Sequence, residues 1–327
     1  MSEKLRIGVI GAGHFGRFHA LKVAASKRAT LCGIHDISAE RAAQIGAEAG
    51  GAPALALDAL LAVSDAIVVA APADAHFALT EQALLAGKHV LVEKPLAATL
   101  AQADRLAALA TETGRVLQVG HLLRYSAEHE AISARITRPL YIEATRIAPF
   151  KPRGTDVSVI LDMMIHDLDL VLALVDSEIE SVDAMGAAVS SQFEDIANAR
   201  VRFVNGCVAT ITASRISLKT ERKMRLFSQE GYIAVDFAAR KLFMIGREGG
   251  APVPMIEGAR MQEISWEDSD ALAAEHAAFA AAILDGAKVL VDAAAGRRAL
   301  AAAIAVGESM AASLARVTES GLIRVEA

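Results

Sequence analysis

The chain has 327 residues, and 39 acidic against 33 basic residues give it a net charge of −6. This length is enough for two domains, and the negative charge does not favour a nucleic-acid surface, although a net count hides any local basic pocket for an anionic substrate. A charged start leads directly into a strand and no apolar run approaches about 18 residues, so we expect a soluble cytoplasmic protein with neither a signal peptide nor a membrane span.

Short apolar runs alternate with helical patterns over the first 120 residues, which predicts a doubly wound parallel sheet. Apolar runs predict five strands, at residues 6–10, 30–35, 66–70, 89–92 and 116–119. Helical patterns predict connecting helices at residues 17–26, 75–86 and 99–113. Thr99 and Gly114 are the candidate caps of the last of these helices.

The pattern changes after residue 120, where a predicted helix at residues 126–136 precedes a series of alternating, strand-like segments. Asn205-Gly206 and Glu230-Gly231 indicate tight turns between pairs of these strands. Residues 270–316 return to two alanine-rich helices, which are divided near Asp285-Gly286.

These patterns predict an α/β protein with two domains. Residues 1–120 form a Rossmann domain, and residues 121–327 form an α+β domain with a large, mostly antiparallel open sheet. Because an open sheet has an exposed face, we expect a homodimer or a homotetramer. Cys32 and Cys207 lie far apart in apolar runs, so we expect core residues there, and neither a redox pair nor a metal site.

A glycine-rich turn follows the first predicted strand and opens the first helix. Gly11, Gly13 and Gly16 form a G-x-G-x-x-G fingerprint that contains His14 and Phe15. In a dinucleotide site the first glycine permits a tight turn, the second lets a pyrophosphate approach the backbone, and the third lets helix and strand pack closely. The helix amino terminus also favours anionic phosphates. The alternative is an ordinary strand-to-helix turn with three glycines.

Asp36 ends the second predicted strand and lies 36 − 16 = 20 residues after Gly16. A carboxylate at this distance typically accepts hydrogen bonds from the ribose hydroxyls of NAD and repels the 2′-phosphate of NADP. Arg41 lies a helical turn or more into the next segment, so we expect NAD as the cofactor. Asp36 can also cap the helix that starts near Ser38, and the two roles are compatible.

Glu93-Lys94-Pro95 follows the predicted strand at residues 89–92, at the strand end where ligands bind in parallel sheets. The proline restricts the backbone, and the bond before it can be cis. Lys94 can donate a hydrogen bond to a substrate hydroxyl while Glu93 orients it or faces the nicotinamide. On the residues alone, a solvated turn with an exposed ion pair explains the tripeptide equally well.

Asp162 and His166 lie four residues apart and share one face of a predicted helix. A histidine suits proton transfer near neutral pH, and oxidation of an alcohol needs a base for the hydroxyl proton. The same pair can ligate a metal, but no third and fourth ligand is apparent, so we predict no metal. The residues alone slightly favour a structural histidine over a catalytic one.

Basic residues near these motifs are candidates for an anionic substrate. Arg124 lies where the two predicted domains join, and it either packs between them or binds such a substrate. Lys151 and Arg153 add two cations in the loop before Asp162, and they can bind a pyrophosphate. A solvated basic loop explains these two cations at least as well.

The chain resembles the Gfo/Idh/MocA family of oxidoreductases in one continuous segment, Ala86-Gly87-Lys88-His89-Val90-Leu91-Val92-Glu93-Lys94-Pro95-Leu96-Ala97, preceded by Ala71-Pro72 and His76. The resemblance extends over the whole chain, and it implies an NAD-dependent enzyme that needs no metal. It implies that residues 1–120 bind NAD and that residues 121–327 serve substrate binding and oligomerisation. It implies that Lys94 contacts both the nicotinamide ribose and the substrate hydroxyl. It also implies that His166 is a base or substrate ligand and that Asp162 orients the substrate.

The same resemblance implies two sets of binding residues. Cofactor contacts are expected from Gly11, Gly13, His14, Phe15, Gly16, Asp36, Ala71, Pro72, His76, Glu93 and Lys94. Substrate contacts are expected from Lys94, His121, Arg124, Arg153, Asp162 and His166.

Residues 118–125 and 159–169 are most similar to the branch of the family that acts on nucleotide sugars. This similarity implies oxidation of the C3 hydroxyl of UDP-N-acetylglucosamine to a ketone, which an aminotransferase then uses for 2,3-diamino lipid A. The alternatives are the corresponding uronate, then inositol or a free sugar. A regulator that binds NAD without turnover remains a further alternative, because a fold alone does not fix function.

Overall fold

The computed structural model describes residues 4–151, 157–254, 256–267 and 269–321. The chain divides into two compact units. The first comprises Met1–Ser126 and Asp270–Leu300, and the second comprises Ala127–Ser269 and Ala301–Ala327. The division predicted at residue 120 leaves everything after it in one domain, whereas residues 270–300 return to the unit that holds the amino terminus.

The first unit is built on five parallel strands, β1 (Leu5–Ile10), β2 (Ala29–His35), β3 (Ala66–Val69), β4 (His89–Glu93) and β5 (Leu117–Gly120). Its connecting helices are α1 (His14–Ala25), α2 (Ala39–Glu48), α3 (Leu57–Val63), α4 (His76–Leu85) and α5 (Leu100–Thr113). The strand order is β2-β1-β3-β4-β5, which confirms the predicted parallel sheet. The order changes direction at β1 and β3, and ligands bind at such a switch point in open α/β sheets.

Local sequence explains why these elements form where they do. Val9, Ile67 and Leu91 are fully buried, as expected for strands that helices cover on both faces. Helix α5 begins where Thr99 accepts a hydrogen bond from a backbone N–H, and it ends at Gly114, whose φ of 63° suits glycine. Both predicted caps are therefore confirmed.

The second unit contains a nine-stranded sheet among its described residues. Its strands are β6 (Tyr141–Ile147), β7 (Ile179–Ala187), β8 (Ile196–Phe203), β9 (Val208–Ser214), β10 (Glu221–Phe227), β11 (Tyr232–Asp236), β12 (Lys241–Gly246), β13 (Ala251–Pro252) and β14 (Arg260–Ser265). Their order is β13-β14-β12-β11-β10-β6-β9-β8-β7. β6 and β9 run parallel and the other pairs run antiparallel, so the predicted mostly antiparallel sheet is confirmed.

Strand β8 shows why this sheet was recognisable from sequence. Its residues alternate strictly between exposed and buried, which is typical of a sheet with one covered face. Gly206 and Gly231, with φ of 89° and 146°, lie in the β8–β9 and β10–β11 turns. Both predicted turns are confirmed.

The remaining helical elements are α6 (Ala127–Ser133), a π-helical turn (Ile160–Met164), α7 (Ile165–Val175), α8 (Ala271–Leu284) and α9 (Ala293–Glu319). The last two confirm the predicted alanine-rich pair. Contrary to the sequence-based expectation, α9 is long and apolar enough to cross a membrane by length and composition. One such helix is a weak indication, because core helices of soluble proteins pass the same test. Of the apolar stretch of α9, 33% is buried in protein, including Val306 and Met310.

Candidate active site

The glycine-rich turn after β1 leaves room for an anion at the start of α1. A Cβ on Gly11 would lie 2.5 Å from the carbonyl oxygen of Ala70, and a Cβ on Gly16 would lie 1.8 Å from that of Gly11. These two positions therefore require glycine. Around a Cβ on Gly13, no heavy atom of the described residues outside its chain neighbours and helix backbone comes within 4 Å. No side-chain hydrogen bond caps α1 in this described segment, and the amino terminus of a helix is favourable for an anion.

Asp36 follows β2 and turns its carboxylate back towards the glycine-rich turn. Its Oδ2 accepts the N–H of Ala12 at 2.7 Å, and its Oδ1 accepts the N–H of Ser38 at 2.8 Å. Burial opposes the charged form, but these hydrogen bonds and the one from Arg41 outweigh it, so the pKa of Asp36 lies below its usual value. The cap of α2 is Ser38, which accepts the N–H of Arg41, so Asp36 supports that cap without forming it.

Arg41 lies closer to the candidate ribose site than we predicted. Its Nη2 is 2.9 Å from Asp36 Oδ1, since Arg41 lies in the first turn of α2 and only five residues after Asp36. The Arg41 side chain is 56% exposed, so it can leave one acceptor site of the carboxylate to another donor. The turn, the helix end without a side-chain cap and Asp36 together fit a dinucleotide, in which Gly11–Gly16 would hold the pyrophosphate and Asp36 the ribose.

The Glu93-Lys94-Pro95 segment lies at the carboxyl end of β4, and the Lys94–Pro95 bond is cis. Glu93 Oε1 lies 2.9 Å from His19 Nε2, and its Oε2 accepts the N–H of Lys94 at 3.2 Å. The side chain of Glu93 is only 13% exposed, so the solvated ion pair considered from sequence is not what forms. Glu93 instead anchors the backbone of Lys94.

His76 joins the loops that follow β3 and β4. Its Nδ1 lies 2.7 Å from the carbonyl oxygen of Pro95, and its Nε2 lies 2.9 Å from that of Ala71. The ring is buried, with backbone carbonyls at both nitrogens, so it braces the edge of the sheet. Ala71 is half-buried and Pro72 is exposed in the same loop, and their expected contacts with a cofactor stay predictions.

The second unit carries the Asp162 and His166 pair. We predicted both on one α-helix, but Asp162 lies in the π-helical turn and His166 lies in the first turn of α7. Both side chains are half-buried. A single π-helical turn is rare and frequently marks a functional site, so its presence at Asp162 favours a functional role for Asp162 and His166.

Three charged residues near this pair were not recognised from the sequence. Arg146 on β6 donates to both oxygens of Asp167 on α7, at 2.6 and 2.8 Å, and this buried pair ties the helix of His166 to the sheet. Arg222 lies directly opposite Arg146 on β10, and its guanidinium is 4.4 Å from the centre of the Phe237 ring.

The remaining residues predicted to bind substrate lie in the first unit or outside the described residues. His121 is buried at the end of β5, and Arg124 is half-buried in a short 3-10 helix (Leu122–Tyr125) of the first unit. Arg153 lies outside the described residues. A buried cluster of His19, Glu275 and His276 in the first unit was missed, since nothing in the sequence links residues so far apart.

Comparison with known proteins gives matches along both units. Residues 5–121 match the oxidoreductase family with an NAD-binding Rossmann fold, and residues 131–234 match the GFO/IDH/MocA C-terminal domain. The chain is 44% identical over 316 residues to UDP-N-acetylglucosamine 3-dehydrogenase of Acidithiobacillus ferrooxidans, across 95% of this chain and 99% of that one.

Comparison with solved structures gives a match to the same enzyme. A solved structure of UDP-N-acetylglucosamine 3-dehydrogenase from Acidithiobacillus ferrooxidans has a TM-score of 0.90 at 43% identity, covering 95% of this chain and 98% of its own. A more distant relative, inositol 2-dehydrogenase of Rhodococcus erythropolis, is 32% identical over 58% of each chain.

Proposed function

We propose that this chain, which belongs to the Gfo/Idh/MocA family of oxidoreductases, oxidises the C3 hydroxyl of UDP-N-acetylglucosamine to a ketone with NAD. The observation that carries the proposal is the 44% identity, over 95% of the chain, to a UDP-N-acetylglucosamine 3-dehydrogenase. The first unit is the NAD-binding domain of the family. Bound NAD supplies the acceptor for the hydride that leaves C3.

The chain's own residues supply binding, orientation and proton transfer. Lys94 donates a hydrogen bond to the C3 hydroxyl and holds it for reaction, while His166 takes its proton. Asp162 accepts a hydrogen bond from the sugar and fixes its orientation. Correct orientation of bound groups can contribute several kcal/mol to lowering the barrier, on the order of 7 in favourable cases.

Arg222 supports a phosphate-bearing substrate over a neutral polyol. Within the described part of the chain, its buried Nε and Nη2 have no hydrogen-bond partner. Burial, and then the charge of Arg146, lower the pKa of Arg222 to about 10, so the guanidinium stays charged near neutral pH. Asp167, the carboxylate with the largest electrostatic effect on Arg222, is already engaged by Arg146. A buried cation with unused donors is stabilised by an anion, and phosphate oxygens suit a guanidinium.

The proposal extends to the biological setting. The 3-keto sugar is a substrate for a sugar aminotransferase, and we place the two reactions in the synthesis of 2,3-diamino lipid A. We also propose a cytoplasmic homodimer or homotetramer. The main competitor is the corresponding UDP-uronate 3-dehydrogenase, followed by an inositol or free-sugar dehydrogenase.

The test is to incubate the protein with NAD, UDP-N-acetylglucosamine and a carbonyl-trapping reagent, and to follow NADH and the sugar by mass spectrometry. The trap is needed because oxidation of an alcohol by NAD can be unfavourable at equilibrium. A trapped sugar two hydrogens lighter, with matching NADH, is the expected result. If only the uronate or free polyols gave a product, the enzyme would keep its class and the proposed substrate would be wrong. Bound NAD without any product would favour the non-catalytic regulator.

A further inference from the structure

A cluster of polar side chains lies buried behind the end of β4, inside the first unit. It contains His19 of α1, Gln118 of β5, and Glu275 and His276 of α8, each at most 6% exposed. The chemistry proposed above uses none of them. Because burying polar groups costs free energy unless they are hydrogen-bonded, the pattern of bonds within the cluster indicates what it does.

A chain of hydrogen bonds leads from α8 to the backbone of Lys94. His276 Nε2 lies 2.9 Å from His19 Nδ1, and His19 Nε2 lies 2.9 Å from Glu93 Oε1. The other carboxylate oxygen of Glu93 accepts the N–H of Lys94 at 3.2 Å. Glu93 thus joins two buried rings to the main chain of the candidate catalytic lysine.

The chemistry of the acceptors fixes where the protons lie. An ionised carboxylate only accepts, so His19 carries a proton on Nε2 and donates it to Glu93. His19 Nδ1 then accepts from Nε2–H of His276. The opposite arrangement would put a proton on His276 Nδ1, which is buried without a hydrogen-bond partner among the described residues.

The surroundings of His276 keep its ring neutral. Burial is the main cause that lowers the pKa of His276 to about 3; the neighbouring His19 and Lys22 lower it further, and Asp270 opposes them. A neutral His276 with its proton on Nε2 is the form that the bond to His19 requires.

Glu275 brings a second carboxyl group into the cluster. In the described part of the chain, neither of its side-chain oxygens has a hydrogen-bond partner. Burial, and then the negative charge of Glu93, raise the pKa of Glu275 well above its usual value, which favours the protonated, neutral form of this carboxyl. Gln118 Nε2 donates to the backbone carbonyl of Glu275 at 3.2 Å and holds this turn of α8 against β5.

Of the two carboxyl groups, Glu93 is therefore the one whose surroundings favour the charged form. The titratable groups around it are His19 from α1, His76 from α4, Glu275 from α8 and the adjacent Lys94. Burial opposes its ionisation, but the hydrogen bond from His19 and the electrostatic effects of His19, Lys94 and His76 outweigh burial and lower the pKa of Glu93. Loss of the His19 bond raises that pKa.

We propose that His19 and His276 are positioning residues, which hold the Glu93 carboxylate and, through it, the backbone of Lys94 in the arrangement that the oxidation needs. Both rings are buried, and the chain of hydrogen bonds connects them to the backbone of Lys94 through Glu93. This role rests on the function proposed for Lys94, so its test includes a measurement on the free protein, without any substrate.

The experiment compares His19→Asn with His19→Gln. The glutamine amide reaches about as far as Nε2 and can still donate to Glu93, whereas the asparagine amide reaches only the position of Nδ1. In the free protein, the backbone amide resonance of Lys94 reports the ionisation of the carboxylate that accepts its proton. We expect its titration midpoint to move to higher pH in His19→Asn and to stay near the wild-type value in His19→Gln.

Turnover provides the second readout, with NAD and UDP-N-acetylglucosamine. We expect His19→Asn to lower kcat at least about tenfold, to leave KM within about threefold, and to move the acid limb of the kcat profile to higher pH. His19→Gln should restore kcat to within about threefold. A purely structural role predicts that stability changes while the pH profile does not.

The outcomes separate this role from the proposed substrate. A shifted Lys94 titration in His19→Asn supports the network even if no sugar nucleotide is oxidised, in which case only the substrate is wrong. An unchanged Lys94 titration with an unchanged acid limb overturns the network. If His19→Asn does not fold, His276→Asn and His276→Gln repeat the comparison one step further from Glu93, with the same expected and contrary results.

Discussion

Arg41 Nη2 lies 2.9 Å from Asp36 Oδ1, so the carboxylate expected to bind the ribose already carries a cation on its exposed side. This pair explains how the site can prefer NAD although the Arg41 guanidinium, which could bind the 2′-phosphate of NADP, lies within it. As long as Asp36 is charged, it neutralises Arg41 and repels a 2′-phosphate. Without Asp36, the guanidinium is free to bind that phosphate.

We therefore predict that Asp36→Ser reverses the cofactor preference. NAD affinity should fall about tenfold or more, since a charge-assisted hydrogen bond contributes about 1.5–3 kcal/mol, and NADP affinity should rise. The matched control is Asp36→Ser combined with Arg41→Ala, which should lose NAD affinity without gaining NADP affinity. Calorimetric titration of both dinucleotides measures this, and equal NADP affinity in the two variants would mean that Arg41 plays no part.

Arg222 is the residue whose replacement best separates a nucleotide sugar from a polyol. We predict that Arg222→Gln raises KM for UDP-N-acetylglucosamine at least about tenfold, because a guanidinium–phosphate contact is charge-assisted. Stability should be unchanged or higher, since the variant removes a buried cation whose Nε and Nη2 have no hydrogen-bond partner among the described residues. Steady-state kinetics and thermal unfolding provide the two measurements.

Arg225→Gln is the control on the same strand. Arg225 is exposed on the opposite face of β10 and pairs with Glu143, so its loss should change neither KM nor stability by much. An unchanged KM in Arg222→Gln would show that the phosphate binds elsewhere.

Glu275 makes the stability of the first unit depend on pH. Its pKa is raised in the folded state by burial and by Glu93, so the unfolded chain releases this proton at lower pH than the folded one. The stabilising effect is complete below the unfolded pKa of about 4.5 and is lost as pH rises towards the folded value. Glu275→Gln has no proton to lose, so its stability relative to the wild type should increase with pH above about 4.5.

Urea unfolding between pH 4 and pH 8 measures this difference. The control is Glu308→Gln, a change at an exposed glutamate of α9, for which no such trend is expected. If the difference between Glu275→Gln and the wild type were constant across this range, Glu275 would titrate alike in both states and would not be held protonated.

The helices and strands that were predicted correctly are those whose formation depends on residues close together in the sequence. The parallel strands are continuous apolar runs, α5 carries both of its caps, and β8 alternates strictly. Strand β7 buries a single residue, and a register shift between Ile179 and Ser181 interrupts its alternation, so its pattern is weaker than that of β8. The π-helical turn at Asp162 has no sequence signature in a chain read by 3.6-residue periodicity.

The candidate site shows the same limit. Gly11 and Asp36 could be assigned because their spacing along the chain reflects a single strand–helix–strand unit. His19 and His276 are separated by 257 residues and meet only because α8 returns to the first unit. Arg146 and Arg222 become neighbours through the register of β6 and β10, which no local pattern reveals.

Lys94 carries the proposed chemistry, and its replacement tests that role directly. We predict that Lys94→Ala lowers kcat about 100-fold or more, because the substrate hydroxyl loses the donor that orients it and assists its deprotonation. NAD affinity should remain within about threefold, since the glycine-rich turn and Asp36 supply most of that binding. Lys94→Arg is the control, because it keeps the charge but changes the shape and reach of the donor, so partial activity is expected. Full turnover by Lys94→Ala would remove Lys94 from the mechanism and leave Glu93 and its two histidines as supports for the sheet edge alone.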